Sequence, residues 1–194
     1  MPKRTAKTPN VFVALLRGVN VGGKNNLSMS ELKTNLSKAG FDDVRTYINS
    51  GNVLFTSSQT DARKLETNIE RLLSIQHKLE CKVVVRSLSE MKKLVESLPA
   101  AWKDDESWAH NVVFLRHSID SKNVLKELAP KPEIEKVLYR SGAVLWSVQR
   151  SEIKQSTMTK LSSRKIFQHM TVRNPNTTRK LYELMEEMAQ GESD

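Results

Sequence analysis

The sequence holds one cysteine, Cys81, and that scarcity excludes an intramolecular disulfide, a CxxC redox pair and a thiolate cage for zinc. It has no apolar stretch near the roughly 18 residues that a membrane span needs. The first hydrophobic run, residues 11–16, is cut by Arg17, so no segment of signal-peptide length follows the charges of Lys3, Arg4 and Lys7; the expectation is a cytoplasmic protein with no membrane partner. Histidine is sparse too. His77, His110, His117 and His169 form no HxH or HxxxH pair, and neither a metal site nor a cofactor motif is indicated. Acid is in deficit: Lys and Arg number 31 against 22 Asp and Glu, a net charge of +9, which favours anionic partners such as nucleic acid or nucleotides. Lys3, Arg4 and Lys7 lie in an arm, residues 1–10, that reads as disordered, so 9 − 3 = 6 positive charges belong to the folded body.

What is present reads as an α+β protein. Residues 11–16 form a short Val- and Phe-rich strand. Ser28 and Glu31 have capping-box spacing, and Met29, Leu32 and Leu36 recur at helical spacing until Gly40. Residues 44–48 and 53–56 flank Asn49-Ser50-Gly51-Asn52, a turn composition, and predict a hairpin. Leu65, Ile69, Leu72, Leu73 and Leu79 mark an amphipathic helix over 61–79, and residues 81–85 return to strand. A connecting helix follows over 88–98, with a capping box at Ser87 and Glu90 and a stop at Pro99, then a loop carrying Trp102 and Trp108. The order then begins again: strand 112–115, helix 120–128, hairpin 137–139 with 144–148, helix 158–170, strand 171–173 and a last helix over 177–189. Ser50-Gly51-Asn52-Val53-Leu54-Phe55 aligns with Ser141-Gly142-Ala143-Val144-Leu145-Trp146, so duplication is the simplest explanation.

The expected architecture is two tandem ferredoxin-like βαββαβ halves with antiparallel sheets, plus the connecting helix and a C-terminal helix. The halves are assigned to residues 11–87 and 110–190, with the connecting helix and loop at 88–109. In such a unit the exit loop of the first strand and the hairpin turn share one end of the sheet, so the loop at 17–26 should approach Asn49 to Asn52.

Two regions are candidate binding sites. Gly18, Gly23 and Lys24 match GxxxxGK after a strand. Asn25 stands where a magnesium-holding Ser or Thr belongs, and no Walker-B strand is visible, so a nucleotide hydrolase is not the favoured reading. What remains is a polar, cationic concavity of Arg17, Asn20, Gly22, Gly23, Lys24 and Asn25 beside Asn49, Ser50 and Asn52, able to hold an anion with amides and a guanidinium. Turn chemistry in which the Asn and Ser side chains bond their own backbone is the bland alternative. The second region lies in the stretch from Arg150 to Lys180, which carries Lys154, Lys160, Arg164, Lys165, Arg173 and Arg179 besides those two ends, against Glu152 alone. Arg173, Asn174, Asn176, Thr177 and Arg179 gather where the last helix begins, a suitable place for phosphate or carboxylate. Here the bland alternative is a solvated basic face with Asn176 or Thr177 acting only as a cap.

Catalytic arrangements are thin. Cys81 opens a strand with no partner base, and the adjacent Asp104, Asp105 and Glu106 cannot flank a substrate. Trp102 and Trp108 read as anchors of their loop.

Three blocks carry a family likeness: Leu15-Leu16-Arg17-Gly18-Val19-Asn20-Val21-Gly22-Gly23; Tyr47-Ile48-Asn49-Ser50-Gly51-Asn52-Val53; and Thr171-Val172-Arg173-Asn174 with Asn176-Thr177 and Lys180-Leu181. Together they span nearly the whole chain, which resembles the bacterial DUF1697 family of unknown function. The resemblance implies the two-part fold and marks these blocks as signatures; it brings no substrate and no catalytic residue. Pro175 departs from the bulkier, often aromatic residue expected there.

The leading expectation is a metal-independent binder of an anionic, phosphorylated ligand, either a nucleic-acid backbone or a nucleotide-like molecule. The plait is a common RNA-binding scaffold, but no strand carries alternating exposed aromatics. The competing expectations are an enzyme acting on an anionic small molecule through Arg clamps and a protein-protein interaction module.

Overall fold

The computed structural model describes residues 10–20, 25–103 and 106–191. The basic arm up to residue 9, Gly22, Gly23 and Lys24 of the first candidate site, and Asp104 with Asp105 lie outside the described residues. The first half runs β1 (Val11–Leu16), α1 (Met29–Lys38), β2 (Asp42–Tyr47), β3 (Asn52–Thr56), α2 (Ala62–His77), β4 (Val83–Ser87) and α3 (Leu88–Glu96). The second runs β5 (Trp108–Leu115), α4 (Val124–Leu128), β6 (Glu135–Arg140), β7 (Ala143–Gln149), three 3-10 segments, β8 (Met170–Arg173) and α5 (Pro175–Gln190). The strands form two four-stranded sheets ordered β2-β3-β1-β4 and β6-β7-β5-β8, with every pairing antiparallel.

Every residue of β1 is buried, because its sheet is covered on both faces. Phe12, Ala14 and Leu16 point into a core built with Leu32 and Leu36 of α1 and Leu65, Ile69 and Leu73 of α2. Val11, Val13 and Leu15 alternate to the other face. There they join a central core with Met91 and Leu94 of α3, Val112 and Phe114 of β5, and Leu181, Met185 and Met188 of α5. The far face of the second sheet buries Val113, Leu115, Val144 and Trp146 against α4 and the 3-10 segments. The central core therefore belongs to both halves.

The last strand of each half hands directly to a helix. Ser87 caps α3 and Asn174 caps α5 with the same backbone angles, φ −74° and ψ 161°. The capping box at Ser87 and Glu90 forms as expected, the Glu90 carboxylate accepting from the Ser87 amide at 2.8 Å. For α5 the cap is Asn174, whose Oδ1 accepts from Thr177 N at 2.7 Å, not Asn176 or Thr177.

Two expected helices require correction. Over 158–170 there is no α-helix; the chain makes 3-10 turns at Arg150–Gln155, Thr157–Ser163 and Lys165–His169. The hydroxyls here compete with the helical ladder. Thr159 Oγ1 donates to Ser156 O at 2.7 Å, Ser163 Oγ donates to Lys160 O at 2.7 Å, and Ser156 Oγ accepts from Met158 N. Glu135 anchors the start of Thr157–Ser163, accepting from Ser156 Oγ at 2.5 Å and Thr157 N at 2.7 Å. The helix expected over 120–128 shrinks to α4. The Asp120 carboxylate is occupied by the Gly142 amide at 2.9 Å and the Tyr139 hydroxyl, so it starts no helix.

Candidate functional site

The exit loop of β1 is folded by asparagines in left-handed conformations. Asn20 has φ 55° and Asn25 φ 53°, angles that short polar side chains tolerate best. Asn20 Oδ1 accepts from Leu27 N at 2.8 Å, while Nδ2 donates to Leu27 O and to Asn49 O, both at 2.9 Å. Asn25 Nδ2 donates to Gly18 O at 3.0 Å. The loop thus meets the β2-β3 turn, where Leu16 N donates to Gly51 O at 2.8 Å. Gly51, at φ +72°, lies so close that a Cβ would strike the Val19 side chain and Leu16 Cβ.

Arg173 reaches from β8 across the seam into that junction. Its Nε donates to Asn52 Oδ1 at 2.6 Å and its Nη1 to Thr171 Oγ1 and Val172 O, both at 2.8 Å. Its Nη2 serves Leu16 O and Ser50 O at 3.0 Å and Gly51 O at 3.3 Å. Burial pulls its pKa down to about 10, which leaves it charged at neutral pH. Arg173 is a staple whose donors are spent on the protein itself. Asn52, fully buried, spends its Nδ2 on Tyr47 O and Ser50 Oγ.

Arg86 does the same in the opposite direction. From β4 its Nη2 donates to Leu115 O, at the end of β5, and to Gly142 O in the β6-β7 turn at 2.9 Å. The register agrees: Val13 pairs with Arg86 as Val112 pairs with Arg173. Arg17 and Arg116 then occupy matching places. Arg17 N donates to Lys82 O at 3.0 Å, and Arg116 N donates to His169 O at 2.9 Å.

The environments of those two arginines differ. Arg116 meets carboxylates of α2, with Nη2 2.9 Å from Glu70 Oε1 and Nε 3.6 Å from Glu66 Oε2. Burial raises Glu66 to about 7, against the pull of the Val85 amide, Arg116 and Arg86. Arg17 makes no ion pair among the described residues. Its guanidinium carbon sits 4.8 Å from the centroid of Phe167; its buried Nε, like that of Arg116, has no hydrogen-bond partner.

Arg17 opens onto a cavity of about 650 Å³ whose lining includes Asn25, Ser50, Phe167, Arg173, Asn174 and Thr177. The two candidate regions therefore converge on one cleft. Of the expected residues, Asn20, Asn49 and Asn52 shape the loops without lining it, and Asn176 and Arg179 lie elsewhere. Arg179 and Lys180 stand in the second turn of α5, because the helix begins at Pro175. Ile48, Glu80 and Phe167 line the cleft without having been singled out. The paired staples had a readable signal, Val85-Arg86-Ser87 against Val172-Arg173-Asn174, each just ahead of a helix. Cys81 lies beneath the loop, its thiol on Arg17 O at 3.2 Å, and burial pushes its pKa up to about 11.

A family model described as "Protein of unknown function (DUF1697)" matches residues 10–146; the block at 171–181 lies beyond that range. The chain is also similar to the solved structure of the conserved bacterial protein SP0830 from Streptococcus pneumoniae. The two share 26% sequence identity and a TM-score of 0.79, over 91% of this chain and 98% of that one. No curated protein shows significant similarity to the chain. Among the described residues no helix is long and apolar enough to cross a membrane, and no group of three His, Cys, Asp or Glu side chains is gathered for a metal ion.

Proposed function

The chain belongs to the DUF1697 family, and on that premise we propose that its cleft binds a phosphorylated organic ligand, held by guanidinium and amide donors without a metal ion. The observation that carries this reading is the contrast between Arg17 and Arg116. At matching positions of the two halves, one arginine is ion-paired with Glu66 and Glu70, while the other lines a cavity with no carboxylate paired to it among the described residues. A guanidinium that lines a cavity without a carboxylate partner is open to an anion from solution, which would form the charge-assisted contacts that Glu66 and Glu70 form with Arg116. The surrounding field favours the same sign. Arg173 brings a buried positive charge, and α5 directs its N-terminal end, at Asn174 and Thr177, toward the cavity. Among the described residues the titratable groups lining the cleft are Arg17, Glu80 and Arg173; this composition suits binding better than acid-base chemistry, which needs a group poised near neutral pH.

We read the architecture as two ferredoxin-like units derived by duplication, the second having traded its longer helix for 3-10 turns. The joined arginine staples and the matching caps support that reading. The single buried thiol suits a reducing, cytoplasmic setting.

The test is calorimetric titration with sodium phosphate and with nucleoside monophosphates. Binding should weaken at least about tenfold in Arg17→Ala, since a charged hydrogen bond contributes about 1.5–3 kcal/mol, and should persist in Arg116→Ala. No heat from any of these anions at millimolar concentration, or equal affinity in Arg17→Ala, contradicts the proposal. A nucleic-acid backbone is a second reading, favoured by the exposed Lys154, Lys160 and Lys165 on the 3-10 segments that also carry Phe167. Retention of single-stranded RNA that falls steeply with salt would distinguish it.

A further inference from the structure

We infer that the anion taken by this cleft carries an aromatic ring, as a mononucleotide does, and that Ile48 is the residue that receives the ring; the inference rests on the cleft being an anion site. Ile48 lines the cavity yet is 52% exposed; the other exposed large apolar side chains among the described residues, Ile75, Leu138 and Ile153, lie away from it.

Its backbone is in the left-handed region, φ 48°, where a β-branched residue is strained by its own Cβ substituents. Asn49, the next residue, is of the type that tolerates this conformation. The strain also sits in extra chain. The turn between Tyr47 and Asn52 contains four residues, Ile48–Gly51, whereas the matching turn between Arg140 and Ala143 contains two, Ser141–Gly142. The additional pair lies on the side whose arginine is open, and it carries an isoleucine to the cleft. Residues held in sparsely populated backbone regions are commonly part of a binding device, because a packing role alone would not preserve the strain.

The rest of the cleft fits the same ligand. Phe167 stacks under the Arg17 guanidinium, so the flat cation can accept a base on one face while its edge reaches a phosphate. Val19 and Val172 add apolar surface. The volume of about 650 Å³ lies in the range of sites for organic ligands, well beyond what inorganic phosphate fills.

The experiment titrates the full chain with sodium phosphate, ribose 5-phosphate, uridine and adenosine monophosphates, and a single-stranded oligouridylate, in wild type, Ile48→Asn and Arg17→Ala. The nucleotides should bind roughly tenfold tighter than ribose 5-phosphate, the increment of one stacked base. Ile48→Asn should abolish that advantage while leaving phosphate and ribose 5-phosphate unchanged, and should raise Tm by about 2–4 °C as the strain is relieved. Arg17→Ala should weaken all of them. Nucleotides no tighter than ribose 5-phosphate, or an advantage that survives Ile48→Asn, overturns the inference but leaves the anion site standing. Binding of the oligonucleotide without the mononucleotides also overturns it. Failure of every anion removes the site itself.

Discussion

Replacing Arg173 with methionine keeps length and apolar bulk while deleting the donors that join β8 to the β1 exit and the β2-β3 turn. Of the acceptors left behind, Asn52 Oδ1 and the carbonyls of Leu16 and Gly51 are buried away from water, while Ser50 O is partly buried at the edge of the cleft. Each buried acceptor deprived of its partner costs about 1–3 kcal/mol, and several are deprived together. Against this stands relief from holding a cation in the interior. The fall of the Arg173 pKa from 12.5 to about 10 corresponds to roughly 3–4 kcal/mol at about 1.4 kcal/mol per unit. The net loss expected is about 2–5 kcal/mol, which for a chain of this size lowers Tm by about 5–15 °C. Differential scanning calorimetry, checked by urea unfolding at constant slope, reads it directly. Arg86→Met should lose a similar amount, because its Nη2 serves Leu115 O and Gly142 O in the matching way. A Tm within 2 °C of wild type in Arg173→Met would refute the staple.

Three further outcomes follow from the same geometry. Gly51→Ala should cost more than the about 1 kcal/mol of positive φ alone, because its Cβ meets Val19 and Leu16, whereas Gly40→Ala, with open space around φ +87°, should lose only that strain; paired urea midpoints compare them. Glu66, raised to about 7 from 4.5, binds its proton more tightly when folded, so stability should decline as pH rises from about 4.5 to 7. Glu66→Gln should flatten that decline, seen as a smaller drop in Tm between pH 5 and pH 8. Cys81, buried with its pKa near 11, should resist iodoacetamide at pH 8 until the chain unfolds, so labelling that outpaces unfolding would contradict its placement beneath the Arg17 loop.

The parts of the fold that sequence made legible are those in which local chemistry and topology agree. Ser87 and Glu90 announced α3, and the repeated Ser-Gly turns announced two hairpins on matching sheets. The approach of the β1 exit to Asn49 followed from strand direction, and Asn20 Nδ2 on Asn49 O at 2.9 Å realises it. What stayed hidden depends on who satisfies whom. Arg173 and Asn52 carry the side chains of a binding site, but each is consumed by the other and by carbonyls that only the folded seam supplies. Phe167 was hidden because the spacing over 158–170 reads as a helix, while Ser156, Thr159 and Ser163 bond the backbone and hold 3-10 turns instead. Ile48 read as the end of a strand; its left-handed backbone sets it in the turn.

Arg17, without a carboxylate partner among the described residues, is the receiver of negative charge on which everything else depends. Crystals soaked in tungstate, a phosphate-like anion with strong anomalous scattering, test it most directly. Density within hydrogen-bonding distance of the Arg17 guanidinium, and none at Arg116 where Glu66 and Glu70 already stand, is the predicted result. Tungstate absent from the cleft at saturating concentration, or bound at Arg116 in its place, would contradict it.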